Sequence, residues 1–225
     1  MSGGLVMYSD QTTPLTDPID ERLFGMLPSR DLNIAYLPSS PDPNRTWFRS
    51  QQDYYARFGV KLKFFGLESE YDPRRTSELL ECDAIHMTGG NTFQFLYWLR
   101  ARGLLSELQR YVSNGGVLIG VSAGAILMTP DIATSYLCGD EDYPGVTDLA
   151  GMKLVDFAFV PHFDGSDDSK RAASRHAATF GGPVYAVSDG GGVVVDGNQV
   201  EFIGPVWQVT PTCFEPILGI HLTQR

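Results

Sequence analysis

Gly120-Val121-Ser122-Ala123-Gly124 stands between two apolar runs, Val117-Leu118-Ile119 and Ala125-Ile126-Leu127-Met128. It reads as G-x-S-x-G, in which a serine sits on a sharp strand-to-helix turn with its hydroxyl exposed beyond the end of the strand. The glycines follow from sterics: a side chain at either position would crowd the turn, and a strained backbone costs least at glycine. The pattern demands a strand before it and a helix after it, and hence an α/β fold around both. It also points to a serine hydrolase.

Short β-rich runs alternate with helical patterns along the chain. Leu5 to Tyr8, Leu32 to Leu37, Val60 to Phe65, Ala84 to Met87 and Val117 to Gly120 read as strands. Trp47, Phe48, Tyr54, Tyr55 and Phe58 recur at roughly helical spacing. Leu104, Leu105, Leu108, Tyr111 and Val112 trace one helix face, with Asn114-Gly115-Gly116 as its stop. This repetition predicts a mainly parallel sheet sandwiched by helices. Val193 to Val195, Asp196-Gly197-Asn198 and Val200 to Ile203 add a C-terminal β-hairpin. No repeat or linker interrupts the 225 residues, so a single α/β domain over 1–225 is expected. The polar, weakly periodic stretch from Pro130 to Lys153 reads as a loop or lid near the site.

Composition removes several function classes. No apolar run is long enough for a bilayer and no charged segment leads into a secretory core, so a soluble, cytoplasmic protein is expected, without a membrane partner. The formal net charge of −10 opposes polyanions, which excludes nucleic acid as the expected partner. Cys82, Cys138 and Cys213 are odd in number and widely spaced, which fits neither a disulfide framework nor a zinc knuckle. They read as packing residues in a reducing compartment. No His/Cys/Asp cluster has ligand spacing, so neither a metal nor an organic cofactor is expected.

A serine hydroxyl needs a base to remove its proton. Of the four histidines, His86 lies inside a strand, His176 on a helix beside Arg171 and Arg175, and His221 near the C-terminus without local context. His162 differs. It follows Phe157-Ala158-Phe159-Val160-Pro161, at the C-terminal end of an apolar strand, where open α/β sheets place their ligands. The third member should be an acid that orients the imidazole. Asp189 ends the run Val184 to Ser188 and precedes three glycines; Asp140 and Asp142, in the loop after the serine helix, are its rivals. An oxyanion requires two backbone donors. The elbow supplies Ala123 N–H, and the Gly90 amide, in the strand-to-helix turn Thr88-Gly89-Gly90-Asn91-Thr92, is the natural second. A glycine pair before a helix can also cradle phosphate, but no G-x-G-x-x-G or G-K-[ST] pattern is present.

Taken together, Gly89-Gly90-Asn91-Thr92-Phe93-Gln94, Ser122-Ala123-Gly124-Ala125 and Pro161-His162-Phe163, in this order, resemble peptidase E, the cytoplasmic aspartyl dipeptidases related in fold to class I glutamine amidotransferases. The resemblance implies that fold and a serine peptidase that removes an N-terminal aspartate from small peptides, with Ser122 as nucleophile and His162 as general base. Where the family has a Glu-Gly pair for the third member, this chain has Asp189-Gly190; an acid in the loop after the serine has also been proposed there, and Asp140 would be its counterpart. Asn91, Thr92 and Arg171 are the expected substrate-binding residues. A substrate carboxylate calls for a cation, best an arginine. Arg171 and Arg175 are one helical turn apart, although a solvated helix face accounts for them equally well. Two other classes stay open: a hydrolase of the same fold with another specificity (isoaspartyl or cyanophycin-type peptides, other dipeptides or an ester), and a non-catalytic binding protein. The expected partners are a small peptide and, at most, a second copy of the chain in a homodimer.

Overall fold

The computed structural model describes residues 3–28, 31–217 and 221–223, the last three by backbone alone. In chain order the elements are β1 (Gly4–Tyr8), α1 (Asp17–Met26), β2 (Asn33–Leu37), α2 (Thr46–Ala56), β3 (Lys61–Phe64), α3 (Thr76–Leu80), β4 (Ala84–Met87), α4 (Thr92–Ala101), α5 (Leu104–Ser113), β5 (Val117–Val121), α6 (Ala123–Ile126), β6 (Ala158–Val160), α7 (Asp167–Phe180), β7 (Val184–Val187), β8 (Gly192–Asp196), β9 (Gln199–Ile203), β10 (Val206–Val209), β11 (Phe214–Pro216) and β12 (His221–Thr223).

Five strands, in the order β1-β5-β4-β2-β3, pair in parallel. The hairpin β8–β9 joins them antiparallel along β1, turning at Gly197 and Asn198 between the paired residues Asp196 and Gln199. Gly197 has φ of 60°, which favours glycine in so short a turn. Side chains alternate across the sheet, as the period of two requires. Leu5 and Met7 of β1 meet Phe93, Phe95, Leu96 and Leu99 of α4 on one face. Val6 and Tyr8 meet Ile19 and Leu23 of α1 and Tyr55 of α2 on the other. The sandwich expected from the sequence is thus built from both faces of β1. Burying each such aliphatic side chain contributes about 1.5–3 kcal/mol.

The sequence does not separate β6 and β7 from this sheet; the structure does. They pair in parallel in a second sheet ordered β11-β10-β7-β6. Phe159, Tyr185, Val187 and Val206 turn one face of it into the core shared with α4, while Ala158, Val160, Val184 and Ala186 pack with Ala173 of α7 on the other. Parallel β6 and β7 therefore end side by side, facing the C-terminal edge of the first sheet.

The Pro130 to Lys153 stretch is more structured than its polarity implies. Ala133–Cys138 forms a 3₁₀ helix, Asp131 bridges to Ala150, and Ile132, Thr134, Ser135 and Met152 are buried. Of the cysteines, all free, Cys82 is buried and burial pushes its thiol up to about 11. Cys138 is half-buried, whereas Cys213 is exposed, contrary to the packing role expected for all three. Among the described residues no helix is long and apolar enough to cross a membrane.

Candidate active site

Ser122, directly after β5 and at the N-cap of α6, has φ of 48° and ψ of −105°, a conformation held from both sides. Its N–H donates to Tyr8 O at 3.0 Å, and Gly124 N–H donates to Thr88 O at 3.1 Å. A Cβ on Gly120 would lie 2.6 Å from the Ala125 nitrogen, and one on Gly124 would lie 2.3 Å from Met87 O. Both contacts are with rigid backbone. The two glycines are thus required by close approach, and the strain is placed on the serine between them.

His162 follows β6 after Pro161 and also has a positive φ, 55°. Its N–H donates to Ser9 Oγ at 2.7 Å, and the next amide, Phe163 N–H, donates to Val187 O at 3.1 Å. So held, the ring spans two partners. His162 Nε2 lies 2.8 Å from Ser122 Oγ, and Nδ1 lies 2.8 Å from Asp189 Oδ1. The side chains of His162 and Asp189 are 41% and 53% exposed, so the row is open to a ligand. Among the described residues, Asp140 makes no such contact: its Oδ2 accepts Thr92 N–H at 2.8 Å, while Asp142 Oδ1 accepts the Tyr136 hydroxyl at 2.7 Å.

Ser9, which the sequence reading passed over, ties this row together. Fully buried one residue beyond β1, it accepts His162 N–H and places its hydroxyl 3.0 Å from both Asp189 Oδ1 and Val187 O. It links the end of the first sheet to the two strand ends of the second. A strand-terminal serine was the available signal.

The second donor site is set by another unpredicted serine. Ser39, two residues beyond β2, donates from Oγ to Gly89 O at 2.6 Å. In a trans peptide the N–H points opposite the carbonyl, so this bond turns Gly90 N–H away from Ser39. Gly90 has φ of 122°, and a Cβ there would lie 2.2 Å from Ser39 Oγ. Gly89 runs beside the nucleophile: a Cβ on it would lie 3.6 Å from Ser122 Cβ. Among the described residues, neither Gly90 N–H nor Ala123 N–H has a protein acceptor. The arrangement offers a hydroxyl in contact with an imidazole and two unengaged amides near it.

The residues expected to bind substrate have other duties. Asn91 caps α4, accepting Gln94 N–H at 2.8 Å while its Nδ2 donates to Glu141 O. Thr92 is fully buried under Asp140. Arg171 forms an ion pair with Asp168 within exposed α7. None of the three lines the cavity beside Ser122, about 460 Å³, whose walls include Asp10, Asp42, His86, Gly89, Gly90 and Val121. His176, expected on a solvated face, is instead half-buried against Phe180, and burial lowers its pKa. The side chain of His221 lies outside the described residues. No group of three or more metal-ligating side chains converges among the described residues.

The description of peptidase family S51 matches residues 3–203. The chain is 35% identical over 134 residues to an uncharacterized peptidase of Pasteurella multocida, spanning 58% of this chain and 65% of that protein. It is 37% identical over 127 residues to a peptidase E of Escherichia coli, spanning 53% and 50%. It thus covers between half and just under two thirds of these relatives. A crystal structure of a candidate peptidase E from Listeria monocytogenes superposes with a TM-score of 0.73 at 21% identity, over 90% of this chain and 98% of that one.

Proposed function

We propose that this chain, which belongs to peptidase family S51, is a serine exopeptidase that hydrolyses small peptides through an acyl-enzyme on Ser122. The observation that carries the proposal is the unbroken row Ser122 Oγ, His162 Nε2, His162 Nδ1 and Asp189 Oδ1, with both links at 2.8 Å. His162 accepts the hydroxyl proton as Ser122 attacks the scissile carbonyl, then returns it to the leaving amine; water hydrolyses the ester by the reverse route. Asp189 holds the ring with Nδ1 protonated, so that Nε2 is the free base. The carbonyl oxygen becomes an oxyanion between Ala123 N–H and Gly90 N–H, and the loss of one such donor typically costs about 3 kcal/mol of transition-state stabilisation.

A cytoplasmic dipeptidase acting on N-terminal aspartate is the finer reading that the resemblance supports. Hydrolysis of Asp-Leu, Ala-Leu, Glu-Leu and isoAsp-Leu by wild type and Ser122→Ala tests both levels. Turnover of any of the four that disappears in the variant supports the serine mechanism, and the profile reads the specificity. Turnover retained by a folded Ser122→Ala protein contradicts the mechanism.

A further inference from the structure

We infer that the cavity beside Ser122 receives a substrate side chain that is uncharged and ends in a carboxamide, as in asparagine or glutamine, an inference that rests on the serine peptidase reading and replaces the aspartate specificity that the resemblance supports. The cavity shares Gly89, Gly90 and Val121 with the surroundings of Ser122, and on its far side reaches Asp10, the residue after Ser9. Its volume, about 460 Å³, lies in the range of small-molecule sites and leaves room for such a side chain together with part of the peptide that carries it.

Charge is the first argument. Among the described residues that line the cavity there is no lysine or arginine, whereas Asp10 and Asp42 are both present. Both Asp42 carboxylate oxygens are engaged by amides at the start of α2, Thr46 N–H at 2.8 Å and Phe48 N–H at 2.9 Å. Asp10 is half-buried and accepts Gln11 N–H and the Thr12 hydroxyl locally. A substrate carboxylate entering here meets like charge without a counter-ion, in a partly desolvated space where repulsion is strong.

The second argument is a directed chain of hydrogen bonds. Gln51 Nε2 donates to Gln11 Oε1 at 2.6 Å, which turns Gln11 Nε2 toward the Tyr55 hydroxyl, 3.5 Å away. Tyr55, accepting there, passes its own proton toward His86 Nδ1 at 2.9 Å. With Tyr55 as the donor, the His86 tautomer carries its proton on Nε2. His86 is 1% exposed and lines the cavity, and among the described residues its Nε2 has no protein partner. Burial holds its pKa down to about 3, so the ring stays neutral. The cavity thus presents an N–H donor on its floor and a carboxylate acceptor on its wall. A carboxamide carries the complement, a carbonyl and an NH₂ group; a carboxylate lacks the donor and an ammonium lacks the acceptor.

Calorimetric titration of Asn-Leu, Gln-Leu, Asp-Leu and Lys-Leu into Ser122→Ala tests this without turnover. Asn-Leu or Gln-Leu should bind tightest, with about a tenfold margin over both charged peptides. Asp10→Asn should narrow the margin over Asp-Leu, and Tyr55→Phe, which frees the tautomer while keeping the ring, should weaken the amide peptides more than Lys-Leu. Asp-Leu or Lys-Leu bound as well as the amides, or none of the four bound, overturns the inference. So does equal weakening of all four by Asp10→Asn, which would assign Asp10 to the peptide ammonium. Serine-directed labelling of wild type reads the peptidase proposal separately: loss of labelling with selective binding intact would sink the mechanism and leave the pocket assignment standing.

Discussion

Two histidines near the same serine occupy opposite environments. His162 stands at an open strand end, 41% exposed at its side chain, with a carboxylate on one nitrogen and a hydroxyl on the other. His86 lies within β4, stacked on Tyr36 at 5.5 Å between ring centroids, with a neutral phenol on one nitrogen. A carboxylate partner stabilises the imidazolium that proton transfer creates; a buried phenol does not. On the proposed mechanism and pocket assignment, the same side chain serves one wall as a proton carrier and the other as a fixed donor. Surroundings assign the roles.

The comparison can be broken most directly at His162. His162→Ala should lower kcat by about 10⁴-fold or more, and Asp189→Asn should approach that loss by allowing the wrong tautomer, both read in steady-state hydrolysis with the fold checked by circular dichroism. A fully active Asp189→Asn would remove the carboxylate from the account. Gly90→Ala should cost about 10²–10³-fold in kcat with KM little changed, because Ser39 Oγ would be displaced and the donor peptide turned. Ser9→Ala leaves all the reacting groups present and loosens their alignment, for an expected loss of about 10–100-fold. Its position is supported if Ser9→Thr recovers part of the rate, since the hydroxyl returns.

The smallest effect concerns His86. Its folded pKa lies near 3 and its ordinary value near 6.5, so the unfolded chain binds the proton more readily between these values. Stability is therefore lost as pH falls from about 6.5 toward about 3, by up to a few kcal/mol. Asp20, whose pKa burial raises, contributes the opposite slope. Thermal unfolding of His86→Phe across this window should show a flatter pH dependence than wild type, while serine-directed labelling persists; an unchanged slope would mean that His86 does not titrate on unfolding.

Much of the candidate site was legible because its parts sit at strand ends. Ser122, His162 and Asp189 each close an apolar run in the sequence, and the structure brings all three within one hydrogen-bonded row. Ser9 and Ser39 also follow strands, but a lone serine after an apolar run is common, and only the packing of the two sheets gives them partners. That packing was itself illegible. Phe157 to Val160 is apolar on both faces, so nothing local says that β6 pairs with β7 apart from the main sheet. Asn91 was misplaced for a reason visible in the sequence: an asparagine three residues before Gln94 at a helix start is an N-cap, and its side chain is used there. The Pro130 to Lys153 stretch misled through its polar residues, which bond internally, as Ser135 Oγ does to Ile132 O at 2.6 Å.

The central claim is that Ser122 is the activated nucleophile, and covalent labelling by a fluorophosphonate, located by peptide mass, tests it most directly. Wild type should carry one adduct, on Ser122, formed far more slowly in His162→Ala and absent from Ser122→Ala. An adduct on another residue, or a labelling rate indifferent to His162, would contradict the account.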